Sequence, residues 1–271
     1  MKQLKLILMA LVSVVLFSLA ASAACPAFMV QSGSSCIDEF EATLWKITDQ
    51  RCISIIKQGK PLPASCFANA IEVGQNGVDY TDAQCNFNGA GCKNIFALSL
   101  PHKIPAHTIQ YFIAAAACRN SGKRLPSNAE WTAAALGTPD PWPQDDPATQ
   151  CNLETDALIP TGSHNNCVSD VGAYDMVGNV IEFVADWGAL ATAGNNWDNF
   201  IPGFGNDVSN MGGAPNGSVY GLPGTTLRGG SFLITPNSGG TGQLAGVYAI
   251  DQNGAPNSIG DGSAAGFRCA K

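Results

Sequence analysis

The stretch Gly122-Lys123-Arg124-Leu125-Pro126-Ser127-Asn128-Ala129-Glu130-Trp131 carries most of the local structure that this chain declares. Ser127 and Glu130 have the spacing of a capping box: the serine hydroxyl accepts the amide three residues on, and the glutamate reaches back to the serine amide. The spacing predicts a helix from 128, with Trp131, Ala134 and Ala135 on its buried face and Gly137 ending it. Just upstream, Ile109, Phe112, Ile113, Ala116 and Ala117 recur at i, i+3, i+4, i+7 and i+8, one face of a second helix. Pro105 and Thr108 act as its start signals, and Gly122 can take the left-handed conformation that closes it.

Outward from these helices, regular structure thins. Residues 36–45 read as a short strand. Residues 47–104 read as an irregular, Cys-rich insertion. Three strand candidates follow near the end, at 225–234, 245–250 and 265–270, between Gly/Asn/Pro loops. Their apolar alternation and terminal Cys argue against disorder, and a lone strand pair does not hold itself together. The C-terminus is therefore expected to pair back onto the body of an α+β domain.

The N-terminus has the form of an export signal. Lys2 and Lys5 precede an apolar run at 6–21, and Ala21-Ser22-Ala23 gives a small-x-small cleavage pattern. The run is shorter than the roughly 20 residues of a membrane-spanning helix. The expectation is a signal peptide at 1–23 and a mature domain at 24–271, periplasmic or extracellular. Cys25 offers a minor alternative, a lipoprotein anchor, although Ser22 stands where a lipobox places Leu.

All ten cysteines follow residue 23, an even set that reads as a disulfide framework in an exported chain. No C-x-x-C pair occurs, and His102, His107 and His164 are scattered, so a zinc site is not expected. Spacing suggests Cys85–Cys92 around a tight loop and Cys52–Cys66 as a second local closure; the partners of Cys25 and Cys36 stay open. Formal net charge is −7, and −9 once Lys2 and Lys5 are removed. So acidic a chain lacks the basic footprint of a nucleic-acid binder. Charged residues are 13% of the chain, about half the usual share, with turn-forming residues in their place.

Four segments together resemble the formylglycine-generating-enzyme, or sulfatase-modifying-factor, family. They are Ile37-Asp38 to Thr43; the Gly122 to Trp131 stretch; Gly172-Ala173-Tyr174-Asp175-Met176-Val177-Gly178-Asn179-Val180-Ile181-Glu182-Phe183; and Leu227-Arg228-Gly229-Gly230-Ser231-Phe232 with Gly266-Phe267-Arg268-Cys269-Ala270. The resemblance covers nearly all of 24–271 except the insertion. It implies a loop-rich variant of the C-type lectin fold, stapled by a Cys118–Cys269 disulfide. It also implies calcium held by Asp175 and Glu182 side chains and Gly178 and Val180 carbonyls, an oxygen set that suits this ion. The family's other calcium loop is matched only at Asn152-Leu153, and a Cys151–Cys167 disulfide is expected to fix that loop instead.

The resemblance places Ser231 at the family's active-site serine. The two copper(I)-binding cysteines of the oxidase, a soft-ligand pair, fall near Ile234 and Gly239, and no Cys lies between Cys167 and Cys269. Copper is therefore not expected, nor formylglycine-generating oxidation by that route. The iron-dependent, sulfur-transferring branch carries a His-rich helical domain that this chain lacks. A periplasmic branch in siderophore chromophore maturation also lacks the cysteine pair, which leaves as the alternative an oxidoreductase with another cofactor.

The leading expectation is binding of a protein, peptide or glycan, or structural work in the envelope. Loops on a rigid scaffold carry recognition, and residues 233–263 are rich in Asn, Gly, Ser and Thr, with Tyr248 and Asp251 among them. Some binding proteins of this fold have C-terminal segments diversified by retroelements. Arg228 and Arg268 read as buried, fold-determining donors. Asn179 and Glu182 would, without calcium, bind turn amides. Asn216-Gly217-Ser218 is a sequon of little weight.

Overall fold

The structure is a computed structural model, and it describes residues 24–76, 79–139, 150–153, 155, 157–189, 195–196, 208–210, 223–233, 245–254 and 264–271. The expected leader at 1–23 lies outside them, as do Ile234 and Gly239 and most of 233–263. No helix among the described residues is long and apolar enough to cross a membrane.

Strands β1 (Met29–Ser32) and β2 (Ser35–Asp38) form a hairpin whose tight turn places Gly33 at φ 59°. After a break at 39–41 the chain enters β3 (Ala42–Lys46). The stretch expected to be an irregular insertion holds several short regular elements between its loops. It contributes α1 (Gln50–Lys57), β4 (Ile71–Val73), the single turn α2 (Asp79–Asp82) and β5 (Ile95–Ser99). The reason is β3, an almost wholly buried strand that needs partners on both edges: β4 and β5 flank it in antiparallel register. Asp49 starts α1 by accepting the Arg51 and Cys52 amides. That helix covers Trp45, Phe96 and Leu98 with its buried Ile53 and Ile56.

Helix α3 spans Tyr111–Asn120, so its start is later than the apolar spacing suggested. Ile109 is buried, but its amide is already taken by the Ala265 carbonyl (2.9 Å), which holds it extended. Phe112, expected on the buried face, is 39% exposed, and Tyr111, Ile113, Ala114, Ala116 and Ala117 pack inward instead. Its C-terminus matches the reading: Gly122 at φ 72° lets the Lys123 amide reach the Cys118 carbonyl and its own amide reach Arg119.

Helix α4 (Asn128–Ala135) begins with both capping-box bonds in place. Glu130 is held further by Arg124 (2.6 Å on each carboxylate oxygen) and by the Ser35 hydroxyl (2.5 Å). Arg124 foremost, then Ser35 and Ser127, hold the Glu130 carboxyl well below the usual carboxylate range. Such a group stabilises the fold above its unfolded pKa and loses that contribution as pH falls from about 4 towards its folded value. Glu130→Gln should therefore cost about 1 kcal/mol at neutral pH. In urea titrations, its deficit relative to the parent should close as pH drops below about 4; a pH-independent deficit would contradict this role.

The remaining strands form a six-stranded sheet in the order β11-β6-β9-β10-β8-β7. Its members are β6 (Ile181–Ala189), β7 (Asn195–Asn196), β8 (Val208–Asn210), β9 (Pro223–Gly229), β10 (Gly246–Gly254) and β11 (Ala265–Phe267). The three late strands of the sequence reading thus exist with shifted ends, while β6 escaped it. The C-terminus does pair back: β11 runs parallel to β6, and Ala270 bridges to both Ile37 and Arg124. One core lies between the β3 sheet, α3 and β6–β11; another lies between α4, Val184 and Val247.

All ten cysteines are paired. The bridges are Cys25–Cys36, Cys52–Cys66, Cys85–Cys92, Cys118–Cys269 and Cys151–Cys167.

Candidate functional site

The 172–183 segment turns beneath the start of β6 and meets the C-terminus at a buried polar hub. Arg268, with no exposed surface, donates from Nε to both Glu182 oxygens (2.9 and 2.8 Å) and from Nη2 to Glu182 Oε1 (2.6 Å). It also donates to the carbonyls of Asp38 (3.0 Å) and Tyr174 (2.8 Å), tying β2, the 172–183 segment and the C-terminus together. Trp131 Nε1 donates to Glu182 Oε2 (2.7 Å), and the Arg228 guanidinium lies over the Trp131 ring at 4.8 Å. Arg228 in turn donates to Thr132 Oγ1 and the Val247 carbonyl. Both arginines are thus buried donors that join elements.

Two further carboxylates stand beside this pair. Glu41, at the entry of β3, has no exposed surface; its Oε1 accepts the Val180 amide (3.0 Å) and its Oε2 accepts Asn179 Nδ2 (2.6 Å). Asp175 Oδ2 accepts the Gly162 amide (2.6 Å), while its Oδ1 is buried without a hydrogen-bond partner. Burial first, then the charges of Asp175 and Glu182, push the Glu41 carboxyl well up. Burial likewise pushes Asp175 up to about 6, against the pull of the Gly162 amide and Arg268. Three buried carboxylates thus face one guanidinium.

Of the residues expected to hold calcium, Glu182 does not fit, because both its oxygens are taken by Arg268 and Trp131. Among the described residues, no three His, Cys, Asp or Glu side chains are grouped to hold a metal ion. Asp175 does offer a free oxygen. Gly178 is explained by close approach: at φ 81°, a Cβ there would lie 2.5 Å from the Asn152 carbonyl oxygen. Asn152 accepts the Asn179 amide and donates to Asn179 Oδ1 (both 2.9 Å), which locks the Asn152-Leu153 loop to the 175–182 turn. The Cys151–Cys167 bridge closes the same loop from its other side.

Ser231 is only 2% exposed, just after the left-handed Gly229 and Gly230. Its neighbour Phe232 donates its amide to the Asn179 carbonyl (3.0 Å), so the serine rests on the 175–182 turn. Tyr248 and Asp251 lie on β10, next to β9. The hub member that the sequence reading passed over is Glu41. Its signal was a carboxylate placed where the chain turns into an otherwise apolar strand.

A family model for the sulfatase-modifying factor enzyme 1-like domain matches residues 64–271. The chain belongs to this family. The match begins inside the stretch first read as an insertion, in keeping with the β4 and β5 strands found there. A curated relative, the serine/threonine-protein kinase Pkn1 of Chlamydia trachomatis serovar L2, is 39% identical over 70 residues, 24% of this chain and 11% of that one. The chain thus corresponds to about a tenth of that relative's length. Among solved structures, the Major Tropism Determinant U1 variant is 17% identical over 91% of this chain and 54% of its own, with a TM-score of 0.45. CarF is 14% identical over 88% and 85%, with a TM-score of 0.42.

Proposed function

We propose that this protein is an exported recognition domain built on the family's scaffold, with no copper-dependent oxidase activity. The supporting observation is the cysteine inventory: every cysteine is consumed in a structural bridge. A copper(I) centre of the family's kind requires two thiolates, and a substrate thiol requires a partner sulfur with which to exchange. Five bridges also suit an oxidising compartment, in line with the apolar leader at 1–23. Ser231, buried on the Asn179 turn, then serves the fold rather than a reacting group.

What remains is a frame in which β6, β9 and β10 adjoin one another, with a sequence at 233–263 rich in Asn, Gly, Ser and Thr. The natural occupant of such a frame is a protein, peptide or glycan surface. Incubation of the oxidised protein with copper, oxygen and a cysteine-containing peptide should yield no aldehyde product. Copper-dependent turnover would overturn the reading.

Calcium enters the proposal through Asp175, with the Gly178 and Val180 carbonyls as further oxygens and Glu182 committed to Arg268. It is supported by the partnerless Asp175 Oδ1 and by the excess of buried carboxylate over guanidinium. Mass-spectrometric metal analysis of protein dialysed without chelator should find about one calcium per chain, lost in Asp175→Asn. A calcium-free parent whose melting temperature ignores chelator would remove the ion from the account.

A further inference from the structure

The five bridges differ in how far they are sealed from solvent. The cysteines of four of them, Cys52–Cys66, Cys85–Cys92, Cys118–Cys269 and Cys151–Cys167, each expose 6% of their surface or less. Cys25 and Cys36 are only half-buried. Both line one open cleft of about 440 Å³, between the N-terminal segment, the end of α1 and Lys271. A thiolate attacks a disulfide only where it can reach a sulfur, and exposed bridges are accordingly the labile ones.

The same bridge is also backed up by the backbone. It spans 11 residues, a loop that the β1–β2 ladder already closes, paired from Met29 and Asp38 to Ser32 and Ser35. Cys36 is held twice more: its amide donates to the Lys271 carbonyl (2.9 Å) and its carbonyl accepts the Lys271 amide (2.8 Å). Cys25 precedes β1, and no backbone-to-backbone hydrogen bond among the described residues involves it. Opening the bridge therefore leaves the hairpin and its tie to the C-terminus in place. Only Cys25 is released.

We infer that Cys25–Cys36 is the site at which this protein exchanges with small external thiols, while its other four bridges stay closed. The thiolate of a dithiol attacks Cys36 Sγ and forms a mixed disulfide; Cys25 Sγ leaves and takes up a proton. The second sulfur of the dithiol then attacks the first, closing a disulfide within the reagent and releasing the Cys36 thiol. Two electrons and two protons pass from the dithiol to the protein. The exchange needs neither copper nor Ser231, so it stands apart from the recognition reading.

The test treats the oxidised protein with dithiothreitol under native conditions, blocks new thiols with N-ethylmaleimide and maps them by peptide mass spectrometry. Cys25 and Cys36 should be labelled together, about tenfold faster or more than any other pair, with near-UV circular dichroism unchanged at that stage. Reduced glutathione in place of dithiothreitol should leave its adduct on Cys36; an adduct on Cys25 would overturn the assignment of the leaving sulfur. Cys25→Ser with Cys36→Ser, which keeps the hairpin, should fold and take no label over the same interval. Earlier labelling at Cys52–Cys66 or Cys85–Cys92, or release of all ten thiols in one phase, would overturn the inference. So would a protein that ignores dithiothreitol until it unfolds.

Discussion

Arg268→Met should be among the most damaging single replacements in this protein, costing about 3–5 kcal/mol. The guanidinium has no exposed surface and donates to Glu182 and to the Asp38, Tyr174 and Asp175 main-chain oxygens at once. Removing it leaves the Glu182 carboxylate buried beside Glu41 and Asp175 without a cation. The cost is therefore that of stranding a charge, larger than the net value of the pair itself. Arg268→Lys should rescue little, since an ammonium cannot reach these separate acceptors with a planar fork. By contrast, Glu182→Met combined with Arg268→Met should recover part of the loss, because no charge is then left unpaired. Chemical denaturation of the three variants checks the order. A double replacement no better than the single one would show that the main-chain bonds of Arg268, and not its charge, carry the effect.

The second large effect is expected at the bridge that joins α3 to the C-terminus. Cys118–Cys269 closes a loop of 151 residues, the longest of the five. In the chain-entropy model such a closure contributes about 4–5 kcal/mol. Cys118→Ser should thus lower the melting temperature by on the order of 10 °C for a domain of this size. The local closure of Cys85–Cys92, seven residues apart, should matter less when replaced, because shorter loops lose less entropy. Equal sensitivity at the two bridges would mean that native-state packing outweighs chain entropy.

The legible parts of the chain were those governed by local rules. The capping box at Ser127 and Glu130 and the left-handed Gly122 depend on residues within one turn, and both stand as read. Reading failed where a distant partner decides. Ile109 obeys helical spacing, yet the Ala265 carbonyl, 156 positions away in sequence, holds its amide outside the helix. The 47–104 stretch shows no clear period because its strands are three and five residues long and owe their existence to β3.

The site divides along the same line. Asp175, Gly178, Val180 and Glu182 were visible as a family motif, but the motif does not say what each side chain meets. Glu182 meets Arg268 and Trp131, from segments 86 and 51 residues away. Glu41, which binds the Val180 amide across 139 residues, could not be joined to the motif by spacing at all. Such long-range satisfaction of buried polar groups is a property of the assembled core.

We propose a family scaffold that has lost its thiolate copper centre, and copper(I) affinity tests that reading. The most direct measurement is an anaerobic copper(I) titration of the oxidised protein against a chromophoric chelator of known affinity. The chelator should retain all the copper, with none transferred to the protein at stoichiometric ratio. Withdrawal of one equivalent of copper(I) from the chelator would contradict the claim and return the oxidase reading to first place.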